Sequence, residues 1–222
     1  MIDDDVGRPA DSRLYTLSTY AMALAAIAIA AVIVRRELWP ASQGSRPPEM
    51  IPNDTWRELT TTGLRIGPDQ ASVTIVELGD FECPACAAFW RVTQKVRSAF
   101  PNQVALVYHH WPLSYHRNAL KLALTAECVA NQGRFEEFHD SVYSRQSELV
   151  GLSPLELASI VGIADTASFG QCLSDSLTKA SIDRGVEAAR RLRALGTPTV
   201  IIDGKLYRQP VDSAMLGALL ER

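Results

Sequence analysis

The chain has 222 residues, 47% of them hydrophobic, which suffices for one sizeable globular core and leaves little room for a second full domain. Its formal net charge is -3 at pH 7, and it contains no long basic run. This weakly acidic balance excludes the electrostatic footprint of a nucleic-acid-binding protein, so we expect no nucleic-acid partner.

An uncharged segment near the N-terminus, residues 17–34, is just long enough to cross the hydrocarbon core of a membrane as a helix. Arg35 and Arg36 follow it, as expected at a membrane interface. We predict a transmembrane anchor at 17–34, preceded by a tail at 1–16. A cleaved signal peptide is the alternative, although the apolar run is longer than the roughly 7–15 residues of such peptides. The charges on either side are nearly balanced and leave the orientation open.

Residues 35–55 are rich in Pro, Ser and Gly and lack periodicity, which is typical of a linker. We expect a globular domain to begin near Trp56. Its first clear strand is predicted at 72–80, a short, apolar and β-branched run. Glu77 lies near the end of this strand, where a carboxylate must be paired, protonated or at the surface. On this pattern alone, Glu77 can still point to solvent.

The cysteine pair in GDFECPACAAFW, Cys83 and Cys86, lies at the start of a helix predicted at 84–99. Pro84 suits the first helical position. Unpaired N–H groups and the helix dipole stabilise a thiolate at Cys83, so we expect its pKa to lie below about 8.5. Residues three apart on a helical turn are about 5–6 Å apart, within the reach of a disulfide. Cys86, one turn further in, is then expected to resolve a mixed disulfide.

A zinc site is the other common use of two cysteines at this spacing. It needs a second Cys/Cys or Cys/His pair at short spacing. Cys128 and Cys172 are isolated, and the nearest histidines, His109 and His110, close a predicted strand. The order strand, CxxC, helix therefore favours a redox pair and predicts no metal site.

The remaining patterns predict a strand at 104–108, helices across 114–195, a hairpin at 196–208 and a closing helix at 211–220. The last helix before the hairpin is predicted at 174–195, with Gly196 as its stop. His116 and His139 lie in the helical region, and we expect surface or packing roles for both. Pro198 opens the first hairpin strand, where its missing N–H is tolerated.

CPAC after an apolar strand, an all-helical segment, then GTPTV and a hairpin resemble the DsbA-like branch of the thioredoxin superfamily. In particular, the chain resembles the membrane-anchored disulfide oxidoreductases of bacteria. The resemblance implies an α/β, thioredoxin-like fold with an inserted all-helical subdomain, following the N-terminal transmembrane helix. The first half of that fold is expected at 56–113, the helical insertion at 114–195 and the second half at 196–222.

The resemblance also assigns roles to residues. It implies that Cys83 attacks and Cys86 resolves. It further implies that Pro198 is cis and faces these cysteines, while Thr197 pairs its main chain with an extended substrate segment. Glu77, six residues before Cys83, matches a buried acid that helps to move the proton of the resolving thiol. A carboxyl group in an apolar strand has the raised pKa that this task needs.

The remaining two cysteines, Cys128 and Cys172, resemble a pair that some relatives join in a second, non-catalytic disulfide. Two separate buried thiols are the alternative. A structural disulfide suits an oxidising compartment. We therefore expect a single-pass protein of the cell membrane with tail 1–16 in the cytoplasm. The linker at 35–55 and the catalytic domain are then extracytoplasmic, in the periplasm or on the outer face.

One departure from the family concerns the dipeptide between the active-site cysteines, Pro84 and Ala85. The best-known strong oxidants of the family have Pro-His there. Ala85 cannot donate a hydrogen bond or a positive charge to the Cys83 thiolate, so the reduced form is less stabilised and the couple less oxidising. The direction of net flux therefore stays open among oxidation, isomerisation and reduction.

The leading hypothesis is an anchored thiol-disulfide oxidoreductase without a cofactor, acting through Cys83 and Cys86. Its expected substrates are reduced, unfolded exported polypeptides, and its expected partner is a membrane reoxidase of the DsbB or VKOR type. One alternative is a copper chaperone in which both cysteines and a histidine such as His109 hold Cu(I). Another is a redox-inert holdase for unfolded chains.

Overall fold

The computed structural model describes residues 20, 22–31, 47–208 and 210–221, and the chain divides into two compact units, residues 1–46 and 47–222. In the first unit, residues 20 and 22–31 are helical and their side chains are exposed. None of the helices in the described parts of the chain combines the length and the apolar character needed to cross a membrane. The predicted tail at 1–16, the ends of the predicted span at 17–34 and linker residues 35–46 lie outside the described residues.

The second unit alternates strands and helices. In chain order its elements are β1 (Glu49–Met50), α1 (Asn53–Thr62), β2 (Leu64–Ile66), β3 (Val73–Gly79), α2 (Pro84–Ala99), β4 (Val104–His110), α3 (Ala119–Ala130), α4 (Phe135–Ser144), α5 (Gln146–Leu149), α6 (Pro154–Ile160), α7 (Thr166–Leu173), α8 (Ser176–Arg191), β5 (Thr199–Ile202), β6 (Lys205–Tyr207) and α9 (Ser213–Leu220). The helices α3 to α8 lie between β4 and β5, in the part of the chain where the sequence predicts a helical insertion. The α/β class and the order of elements agree with the sequence patterns.

The strands form one mixed sheet in the order β1-β6-β5-β3-β4-β2. β3 lies in its interior, parallel to β4 and antiparallel to β5. The β3–β4 register places Glu77 opposite Tyr108. Both faces of these central strands are covered, which explains why they are nearly continuous apolar runs in the sequence.

Each face of the sheet carries its own hydrophobic core. The larger core joins one face to α2 and to the helices between β4 and β5, and it contains Tyr108, Cys83 and Cys86. The smaller core covers the opposite face, where Val107 packs with residues of α1 and α8. Because side chains alternate along a strand, His109 shares the face of Val107 and lies across the sheet from the cysteines.

Two boundaries differ from those expected. The compact unit begins at residue 47 rather than 56, because β1 pairs with β6 and α1 starts at Asn53, within the predicted linker. The helix predicted at 174–195 covers only Ser176–Arg191. Its stop is Arg193 in a left-handed conformation (φ 49°), and the Ala194 N–H donates to the Ala189 carbonyl oxygen. Gly196 therefore belongs to the following loop.

Candidate active site

The cysteine pair lies at the N-terminal end of α2. Cys83 is the capping residue, with an extended backbone (φ -77°, ψ 121°), and Pro84 occupies the first helical turn. The Cys83 N–H donates to the Asp80 carbonyl oxygen at 3.0 Å, and the Ala87 N–H donates to the Cys83 carbonyl oxygen at 3.2 Å. Both cysteines are free thiols. Cys83 is 7% exposed and Cys86 is fully buried, so Cys83 offers the accessible sulfur.

The surroundings of Cys83 favour its thiolate. Its pKa is lowered to about 5, chiefly by a hydrogen bond with the Cys86 thiol. Burial opposes this effect, while Thr197 and the N–H groups of Cys86 and Ala85 add to it. In the thiol form, Cys83 donates to the Thr197 carbonyl oxygen over 3.5 Å. The helix N-terminus therefore acts on Cys83 as the sequence indicated.

Cys86 has the opposite character. Burial raises its pKa well above the ordinary value, and the hydrogen bond with Cys83 and the negative charge of Glu77 raise it further. Two thiols in one helical turn thus differ strongly in acidity. Such a separation assigns different tasks to the two groups: Cys83 is suited to attack and to leave, and Cys86 to hold a proton.

Glu77 is fully buried in β3, so the outward-pointing interpretation is wrong. Neither carboxyl oxygen has a hydrogen-bonding nitrogen or oxygen among the described residues. Burial raises the pKa of Glu77 to about 8; the Cys86 thiol opposes this shift and negative charge on Cys83 reinforces it. A carboxyl group that titrates near neutrality beside a resolving thiol can exchange a proton with it.

The loop before β5 closes the other side of the cysteine pair. The Thr197–Pro198 peptide bond is cis, as the resemblance implied. The Thr199 hydroxyl donates to the Gly196 carbonyl oxygen at 2.7 Å, which fixes this loop. Its Thr197 carbonyl oxygen faces the Cys83 sulfur, so the loop and the helix N-terminus form one site.

An apolar cavity of about 680 Å³ opens beside this site. α2 and the second half of the fold supply its walls. Among the lining residues are Ala85, Phe89, Val92, Leu195, Pro198 and Val211. Ala85 and Pro198 also flank the cysteines in sequence or in space, so the cavity is continuous with the reactive centre.

The other two cysteines form a disulfide far from this centre in sequence. Cys128 in α3 and Cys172 in α7 are bonded, with their Cα atoms 5.7 Å apart and a sequence separation of 44. Of the two arrangements that the sequence left open, the structure therefore contains the bonded one.

Several polar contacts around the site were not predicted from the sequence. Asp80 accepts three hydrogen bonds, from the N–H groups of Glu82 and Leu113 and from the His116 ring, each at 2.8 Å. Glu82 in turn accepts from the Asn118 N–H. These bonds fasten the loop before α2 to the loop after β4. The carboxylates just before CxxC were the available hint, but Leu113, His116 and Asn118 lie more than thirty positions further along the chain.

The histidine invoked for copper binding does not join the cysteines. The His109 ring nitrogen Nε2 lies 2.7 Å from the Leu59 carbonyl oxygen, on the opposite face of the sheet. In the parts of the chain that the structure describes, no three His, Cys, Asp or Glu side chains are grouped to hold a metal ion. His139 is buried against Asp140, in the packing role expected for it.

Comparison with known proteins agrees with this geometry. Residues 59–222 match the family model described as Thioredoxin. The chain belongs to the thioredoxin family. A solved thioredoxin-like oxidoreductase from Silicibacter pomeroyi DSS-3 is 26% identical, with a TM-score of 0.63 over 78% of this chain and 97% of that one. The thiol-disulfide exchange protein alpha-DsbA2 from Wolbachia pipientis shares the fold at 21% identity, with a TM-score of 0.65 over 76% of this chain and 92% of that one.

This thioredoxin-family chain also matches part of a larger curated relative. The Na(+)/H(+) antiporter NhaA 1 of Mycolicibacterium gilvum (strain PYR-GCK) is 30% identical over 222 residues, which is 98% of this chain. The match covers 34% of that relative. The chain thus spans about a third of the relative's length.

Proposed function

We propose that this chain is a thiol-disulfide oxidoreductase that exchanges a Cys83–Cys86 disulfide with the cysteines of exported polypeptides. The observation that carries the proposal is the asymmetry of the pair: Cys83 caps the start of α2 and is partly accessible, whereas Cys86 is fully buried one turn further in. These surroundings lower the pKa of Cys83 to about 5 and raise the pKa of Cys86. A sulfur with a low pKa leaves readily from a mixed disulfide, which favours the release of oxidised substrate.

The proposed reaction has two steps, each an exchange of one S–S bond. A substrate thiolate attacks Cys83 Sγ, the Cys83–Cys86 bond breaks, and Cys86 leaves as a thiolate that takes a proton from the Glu77 carboxyl group. A second substrate thiolate then attacks the substrate sulfur of the mixed disulfide, and Cys83 leaves as a thiolate. Two electrons pass from the substrate to the enzyme, and the substrate gains one disulfide.

The apolar cavity beside Ala85 and Pro198 supports a substrate that exposes hydrophobic side chains, as a reduced and unfolded polypeptide does. In this proposal, the substrate main chain pairs with Thr197 while its cysteine meets Cys83. A membrane reoxidase of the DsbB or VKOR type regenerates the disulfide. Pro84 and Ala85 set the reduction potential of the Cys83–Cys86 pair. We propose oxidation of the substrate as the net reaction, ahead of isomerisation or reduction.

We place the catalytic domain on the extracytoplasmic side, anchored by a helix at 17–34. The Cys128–Cys172 disulfide supports this placement because structural disulfides persist in oxidising compartments. The antiport named for the larger relative is not carried over to this chain, which corresponds to a third of that protein. The redox pair gives the chain a chemistry of its own.

The test is the oxidation of a reduced dithiol peptide by the full, pre-oxidised chain in detergent. Wild type is expected to oxidise one peptide per chain, and Cys83→Ser none. The matched control, Cys128→Ser/Cys172→Ser, removes the other pair and should retain the reaction. Oxidation that survives in Cys83→Ser would overturn the proposal, and a wild type that only suppresses aggregation would identify a holdase instead.

A further inference from the structure

Polar bonds connect the active-site helix α2 to the helical insertion along its length. Midway, the Trp90 Nε1 and Gln94 Nε2 groups donate to the two carboxylate oxygens of Asp140 in α4, at 2.9 and 2.6 Å. Near the C-terminal end of α2, Arg97 pairs with Glu136 of the same insertion helix. The insertion therefore holds α2 in position through polar contacts as well as through apolar packing.

At the N-terminal end of α2, this connection is made by Gln146, the first residue of α5. Its Nε2 group donates to the Phe81 carbonyl oxygen at 2.9 Å and to the Cys83 carbonyl oxygen at 3.0 Å. Leu149, in the same short helix, is buried and holds α5 in the core. One amide group from the insertion thus bridges two carbonyl groups of the reactive loop.

These two carbonyl groups determine how the Cys83 side chain is presented. The Cys83 carbonyl oxygen also accepts the first α2 bond, from the Ala87 N–H, so its direction fixes the orientation of Cys83 at the helix start. With that orientation the sulfur meets the N–H groups of Ala85 and Cys86. The Gln146 amide also places the positive end of a dipole at the loop, where it offsets the negative ends of the carbonyl groups.

We propose that Gln146 is a positioning residue for Cys83: by holding two loop carbonyl groups, it keeps the sulfur over the N-terminal N–H groups of α2. The proposal deepens the proposed function and rests on it for the identity of the attacking thiol. The helical insertion then contributes to the reactivity of the cysteine pair as well as to the cover of the sheet.

The test is the rate at which iodoacetamide alkylates Cys83 in the reduced full chain as a function of pH, with the modified residue assigned by mass spectrometry. Gln146→Leu removes both bonds, and we expect the rate at acidic pH to fall about threefold, with the titration moved to higher pH. Gln146→Glu should lower it about tenfold, because a carboxylate repels the two carbonyl groups and the thiolate.

The matched control is Gln132→Leu, in the same insertion. The Gln132 side-chain amide also donates to a backbone carbonyl oxygen, that of Asp165, at 2.9 Å, and the substitution removes this bond. It should leave the alkylation profile at wild type. If Gln146→Leu unfolds, Gln146→Asn, too short to reach both carbonyl groups, replaces it with a smaller decrease expected. Gln146 variants that match Gln132→Leu would overturn this inference. A wild-type Cys83 that is unreactive at acidic pH would instead overturn the proposed function.

Discussion

The two cysteine pairs of this chain lie in contrasting surroundings. Cys83 and Cys86 lie three positions apart at a helix start, with the buried Glu77 beside them and an apolar cavity in front. Cys128 and Cys172 join two helices of the insertion, and the neighbours of Cys172 are neutral: the Asn131 amide at 3.3 Å and the Thr178 hydroxyl at 3.4 Å.

The contrast shows why a redox role is proposed for the first pair and a structural role for the second. The first pair has a positive helix end to hold one thiolate and a carboxyl group to exchange a proton with the other thiol. The two contacts given for Cys172 are neutral groups, and its sulfur is already bonded, so the bond is expected to stay closed and to restrict the unfolded chain. Each prediction below changes one side of this contrast.

The largest effect is expected from Cys128→Ala/Cys172→Ala, which removes the bond between residues 44 apart in sequence. In the chain-entropy account, such a loop contributes up to about 4 kcal/mol to the free energy of unfolding. Urea unfolding of the protein with Cys83 and Cys86 reduced should show most of this loss. Alkylation of Cys83 should keep the wild-type pH profile. An unchanged free energy of unfolding, or a shifted alkylation profile, would contradict the separation of the two pairs.

The second prediction concerns pH and the reactive pair in its reduced form. The Cys83 pKa is about 5 in the folded protein against an ordinary 9.0, so its contribution to stability is complete above pH 9 and is lost as the pH falls through 5. The Glu77 pKa is about 8 against an ordinary 4.5, so its contribution is complete below pH 4.5 and is lost as the pH rises through 8. Between pH 6.5 and 8, above the range in which the buried histidines titrate, these two slopes oppose each other, and the contributions of Cys83 and Glu77 to the wild-type stability should nearly cancel.

Single variants should expose each slope. With Glu77→Gln, the free energy of unfolding of the reduced protein should rise with pH across this window, by at most about 1.4 kcal/mol per pH unit. With Cys83→Ser it should fall with pH by a similar amount at most. Urea unfolding at several pH values measures both. Two variants with slopes of the same sign would show that the groups do not titrate as the structure indicates.

Elements governed by local patterns could be predicted from the sequence. The limits of α2 follow from Pro84 at its start and from an apolar stripe along it, and β3 follows from a short β-branched run. The burial of Glu77 could not be derived in this way, because it depends on α2 and on both neighbouring strands. Only the resemblance favoured it.

The polar contacts of the site could not be predicted from the sequence. Gln146 is 63 residues from Cys83 in sequence, and nothing in its neighbourhood distinguishes it from a surface glutamine. The edge strand β1 is two residues long and pairs with a strand near the other end of the chain. Such contacts depend on long-range pairing, for which one sequence carries no periodic signal.

The smallest predicted effect concerns the reduction potential of the Cys83–Cys86 pair. It tests Ala85, which is exposed between the two cysteines. Ala85→His supplies a donor, and at acidic pH a positive charge, next to the Cys83 thiolate. It stabilises the reduced form, so the reduction potential should rise by about 30 mV, equivalent to 1.4 kcal/mol for a two-electron couple. Equilibration with glutathione measures the potential.

The matched control is Ala88→His. Ala88 is exposed on the same helix, one turn further from its start, and its substitution should leave the potential at the wild-type value. An equal shift in both variants would mean that added charge anywhere on α2 suffices, and that position 85 has no special access to the thiolate.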